Sequence, residues 1–137
     1  MSVKKLTRDW GCGSCISGDE ILKDRFLREA KGYLKDVASR LIILGWEANL
    51  KSSVYTNRGG IAVSGEATLV MKKDGSNLFV QISSSCIGMV SGKQHPNNVY
   101  ILHRKSTAEK DIYACRGDNR YADTRLDSKV FAELIGE

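Results

Sequence analysis

The apolar positions of this chain change period partway along. From Leu22 onward they recur every three or four residues. Leu22, Phe26, Ala30, Tyr33, Val37 and Leu41 form one row, and Leu27, Leu34, Ala38 and Ile42 widen it. Lys23, Asp24, Arg28, Lys31, Lys35 and Asp36 fill the other side. A helix turns about 100° per residue, so this spacing draws a broad apolar face backed by a charged one. Ser17 and Glu20 have the spacing of a capping box at its start, and Gly45 stands where a left-handed residue stops a helix. The pattern predicts one long amphipathic helix over residues 18–44, wide enough on its apolar side to lie on a sheet. Residues 1–16, with glycines at 11 and 13, read as an irregular N-terminal segment.

Beyond Gly45 the period becomes two. Residues 46–55, "WEANLKSSVY", read as a half-polar edge strand, and "RGG" at 58–60 as a turn. Over 61–72 the alternation is clean. Ile61, Val63, Gly65, Ala67, Leu69 and Met71 fall on one side, and Ala62, Ser64, Glu66, Thr68, Val70 and Lys72 on the other. Asp74-Gly75 is a strong hairpin signal, and "LFVQIS" at 78–83 is the return strand. With Asp74 and Gly75 as loop residues, Met71 faces Leu78, Leu69 faces Val80 and Ala67 faces Ile82. The opposite side then pairs Val70 with Phe79, Thr68 with Gln81 and Glu66 with Ser83. Turn chemistry and hydrophobic pattern thus demand the same register.

Residues 84–98 read as a loop that ends near Pro96. "VYILHR" at 99–104 is a strand, "KSTAEKD" at 105–111 a connection, "IYACR" at 112–116 a strand and "GDN" at 117–119 a turn. "LDSKVFAELI" at 126–135 closes as a short helix, with Asp127 or Ser128 as N-cap and Val130, Phe131, Leu134 and Ile135 available to pack. The expectation is a single α+β domain over 1–137: a long N-terminal amphipathic helix packed on a mostly antiparallel sheet of about five strands, then a short C-terminal helix.

Composition adds three constraints. The 42% apolar and 27% charged shares of 137 residues are ordinary for a globular chain. The longest apolar run, "LIILGW", is far below the roughly 18 residues of a membrane helix. No apolar run follows the lysines of the first ten residues, so no secretory signal is read and a cytoplasmic address is expected. The net charge of +5 is a modest basic excess that suits nucleic acid, a nucleotide or an acidic protein surface.

Cys12 and Cys15 form a C-x-x-C before a helix, the arrangement of a thiol-redox pair. No apolar strand precedes them, which such a redox fold requires. Cys12, Cys15, Cys86 and Cys115 could supply four thiolates to zinc, but Cys86 and Cys115 lack paired spacing. His95 and His103 are the only histidines, and nothing in the sequence forces either beside a nucleophile. A metal-dependent nuclease centred on Glu66 would need a second acid and a lysine where Gln81, Ile82 and Ser83 stand. The glycine-rich "NRGGIAVSG" leads into a strand, so it offers no helix N-terminus to a phosphate. No catalytic residue, metal or cofactor is therefore assigned.

What remains is a basic and aromatic group near the C-terminus. Arg104, Arg116 and Arg120 would hold charge, Tyr100 and Tyr113 would stack, and Gln81, Ser83 and Asn119 would orient a ligand, with Arg58 and His103 adjoining. Interleaved Asp111, Asp118 and Asp123 reduce the local charge. The expected function is non-enzymatic binding of an anionic, phosphate-bearing ligand, a nucleic acid or a nucleotide. The first alternative is a protein-binding inhibitor or adaptor of the mobile-element accessory kind, whose interface, with a partner or as a homodimer, would use the long helix and the 46–55 edge. The second is a thiol-redox or zinc protein built on Cys12 and Cys15.

Overall fold

The computed structural model describes residues 20–48, 54–57, 66–84, 89–90, 93–94, 99–106, 120–122 and 126–136. They form an α+β arrangement of a helix, an antiparallel sheet and a short C-terminal helix. The elements in chain order are α1 (Glu20–Ile43), β1 (Glu47–Ala48), β2 (Val54–Asn57), β3 (Glu66–Lys73), β4 (Ser76–Ser84), β5 (Met89–Val90), β6 (Lys93–Gln94), β7 (Val99–Ser106), β8 (Arg120–Ala122) and α2 (Ser128–Ile135).

Helix α1 buries Phe26, Leu27, Ala30, Tyr33, Leu34, Val37, Ala38 and Leu41, the stripe its periodicity draws. Ile42 departs from it and is exposed. It lies about 40° beyond Ala38 around the helix, past the edge of the buried arc. The helix stops on a Schellman motif: Trp46 N–H donates to Leu41 O at 2.9 Å and Gly45 N–H to Ile42 O at 3.0 Å. Gly45 takes φ +98°, the left-handed region that glycine enters without a Cβ clash. Ser17 of the expected capping box lies outside the described residues.

Strands β3 and β4 pair in the register that the Asp74-Gly75 turn implies, Met71 opposite Leu78, Leu69 opposite Val80 and Ala67 opposite Ile82. Both turn residues have positive φ, 49° and 81°, as a type I′ turn requires. β7 pairs antiparallel with β4, and β8 with β7. Four expectations change here. The 46–55 strand is two short strands, β1 and β2, both paired with β3. The 84–98 loop contains a small separate ladder of β5 and β6. Lys105 and Ser106 continue β7 instead of starting a connection. Arg120–Ala122 forms the strand beside β7 at Ile101–His103, while 112–116 lies outside the described residues.

The core lies between the helices and one sheet face: Leu69, Met71, Leu78, Val80, Ile82 and Ile101 against α1 and α2. The opposite face of the central strands is buried too, including Thr68, Val70, Phe79, Gln81, Ser83, Leu102 and Arg104. Gln81 and Ser83, expected to orient a ligand, are therefore buried within this face. In α2, Ser128, Phe131, Ala132 and Ile135 are the buried positions. Val130 and Leu134, expected to pack, are exposed. Asp127 is the N-cap, and its Oδ1 accepts from Val130 N–H at 2.8 Å.

Three links hold α2 in place. Tyr33 donates its hydroxyl to Leu126 O at 2.9 Å, Trp46 donates Nε1–H to Gly136 O at 3.2 Å, and Ser128 donates to Asp36 Oδ2. Asp36 also accepts from Arg40 Nε at 3.1 Å, so one carboxylate serves both helices. Burial, and then the Asp127 carboxylate, push the Tyr33 phenol well above its ordinary pKa. At neutral pH the phenol is therefore protonated and donates this hydrogen bond.

Candidate functional site

The described candidates fall on two opposite sheet faces, because neighbouring strand residues alternate. On the helix-bearing face stands His103, register-paired with Arg120 of β8. Two residues along β7, Lys105 shares that face and is exposed, as is Arg120. His103 is half-buried, its ring edge-on to Phe131 of α2 with centroids 5.8 Å apart. Burial first, then the Arg120 and Lys105 cations, hold its imidazole below the usual histidine value. The ring is therefore neutral at pH 7 and has one donor and one acceptor nitrogen.

The same rim continues toward the end of α1. Lys105 Nζ lies 5.6 Å and Lys73 Nζ 6.0 Å from the Trp46 ring centre. Lys73 also donates to Leu44 O at 2.9 Å, placing a cation at the negative end of the α1 dipole. Lysine over a tryptophan face is a cation–π arrangement, which fixes the charge while leaving one side of it to solvent.

The other face carries Gln81, Ser83 and Arg104. Arg104 is opposite Phe79 in the ladder, and its guanidinium carbon lies 5.7 Å from that ring's centre. It is only 3% exposed. Gln81 stands between Thr68 and Leu102, and Ser83 between Glu66 and the register position of Tyr100. A guanidinium this deep is part of the packed face, held by the groups around it. The exposed Arg120 and Lys105 are on the other side, while Lys72, also exposed, shares the face of Arg104.

The single basic-aromatic surface expected from the sequence is thus divided: His103 and Arg120 on one face, Gln81, Ser83 and Arg104 on the other. Arg58, Tyr113, Arg116 and Asn119 lie outside the described residues, as do Cys12, Cys15, Cys86, Cys115 and His95. The redox and zinc readings fall there too. Among the described residues no three histidine, cysteine or acidic side chains group as metal ligands, and no helix is long and apolar enough to cross a membrane.

Sequence reasoning passed over Lys73, Lys105 and Trp46. The period-two rule contained part of the signal: Lys105 follows His103 by two, and Lys73 follows Met71 by two. What it lacked was the pairing of β8 with β7, which brings Arg120 opposite His103. Comparison of the chain with protein-family models, with curated proteins and with solved structures returned no match.

Proposed function

We propose that the protein is a non-enzymatic binding protein for an anionic, phosphate-bearing ligand, a nucleic acid or a nucleotide. The supporting observation is that Arg120, His103 and Lys105 share the helix-bearing face at the margin of the sheet, with Arg120 and Lys105 exposed. The guanidinium of Arg120 suits a phosphate fork, Lys105 adds a point charge, and neutral His103 supplies a hydrogen bond. Lys73 continues the positive rim past Trp46. Arg104, Gln81 and Ser83 belong to the packed second face in this reading. Tyr100, Arg58, Tyr113, Arg116 and Asn119 keep their place as candidates from the sequence.

The test is titration with a fluorescent single-stranded oligothymidylate and with ATP across a tenfold range of salt. For the oligonucleotide, log affinity falls linearly with log salt, and Lys105→Ala and Arg120→Ala each flatten the slope by about one. Affinity that ignores salt, or that both substitutions leave unchanged, overturns the proposal.

A protein-binding inhibitor or adaptor is the second reading. It draws on β1 and β2, which pair with β3 and lie at the end of the strand order, and on the exposed Ile42 and Ile43 just before them. An edge strand can extend a partner's sheet. Binding of that kind survives the Lys105 and Arg120 substitutions, so the same variants separate the two.

A further inference from the structure

We propose that the protein pairs with a second copy of itself through the outer face of α2, a surface separate from the cationic rim. α2 turns Ser128, Phe131, Ala132 and Ile135 inward. Its outward positions are Lys129, Val130, Glu133 and Leu134. Val130 is 45% and Leu134 56% exposed, so two of the four large apolar side chains of this helix face outward.

These four residues form two stripes of i, i+4 spacing, Lys129 with Glu133 and Val130 with Leu134. When two copies of one helix lie antiparallel across a twofold axis, each stripe meets its own copy in reverse order. Lys129 then faces the second copy's Glu133, and Glu133 its Lys129. Val130 and Leu134 meet each other twice in the same way. A parallel twofold pairing would instead lay the Lys129 and Glu133 stripe against the Val130 and Leu134 stripe, setting both charges against apolar side chains. A charge pattern complementary to its own reverse is what a twofold interface needs, and it names the occupant as a second copy. Lys129 and Glu133 also line, with Arg40, the groove at the end of α1, where Ile43 is 70% and Leu44 40% exposed.

An eight-residue helix is only about 12 Å long, so this contact is small beside a standard interface and the dimer depends on concentration. Sedimentation of the full chain over a wide concentration range reads it. The weight-average mass rises toward twice the 15.1 kDa of the chain. Leu134→Glu sets a carboxylate against apolar side chains and weakens association roughly tenfold or more. Lys129→Glu weakens it, and Lys129→Glu combined with Glu133→Lys restores it. All three positions are exposed, so far-UV circular dichroism stays unchanged. A chain that remains a monomer at every concentration overturns the proposal. So does a dimer indifferent to Leu134→Glu, or a double charge swap no tighter than the single one.

Discussion

Gly45 makes the sharpest single-residue demand in the fold. Its φ of +98° lies where a Cβ collides with its own backbone. Space around it is adequate, since an added Cβ would come no closer than 3.4 Å to the Lys73 side chain. The penalty for Gly45→Ala is therefore backbone strain, about 1–2 kcal/mol. Urea unfolding should show that loss at unchanged m-value. This residue was readable in advance, because a glycine directly after an apolar helical stripe has few other uses. Lys105 was not, because the apolar pattern ends the strand at Arg104 and only the pairing of β7 with β4 carries it through Lys105 and Ser106. Its significance depends on Trp46 and Arg120, residues 59 positions before it and 15 after it in the chain. Arg104 shows the converse error. A basic residue in a basic stretch reads as exposed, yet it is packed over Phe79.

At the scale of elements, local chemistry and pairing partner carry different information. The β3–β4 hairpin was legible because a two-residue turn and two alternating strands fix register among neighbours in sequence. The 46–55 segment was misread as one strand because alternation says nothing about what the partner does. Ala48 pairs with Met71 and Val54 with Leu69, so six residues on one side answer to two on β3. The 120–122 strand was overlooked because three residues are too few to show a period. In α2, four apolar residues are equally able to pack by pattern, and only docking selects Phe131, which meets Tyr33 and His103, and the buried Ile135. Its start is local: Asp127 accepts from Val130 N–H, so Asp127→Ala should cost about 1 kcal/mol. Denaturant unfolding measures it, and Asp127→Asn should recover most of the loss because asparagine caps nearly as well.

At the scale of the whole molecule, the His103 contact joins sheet and C-terminal helix and makes stability respond to pH. Its folded pKa is depressed by burial and by two cations. Unfolded histidine titrates near about 6.5. Between the folded and unfolded values the unfolded chain binds more protons, so stability rises with pH in that window. The contribution is complete above about pH 6.5 and is lost as pH falls toward the folded value. Thermal unfolding at pH 8 and pH 5 should show a smaller acid loss for His103→Gln than for the parent. An equal loss in both would place the acid sensitivity elsewhere. The sequence by itself determined the long helix and its glycine stop, the central hairpin and its register, and the α+β class. Each of these follows from periodicity or turn chemistry acting over a few residues. Only the tertiary structure decided that both faces of the central strands are buried, that Arg104 and Arg120 part to opposite sides, and that Lys73 and Lys105 each lie near the Trp46 ring. Those outcomes depend on which distant strands pair and which helix faces are covered, and no local pattern of apolar and polar residues encodes that choice.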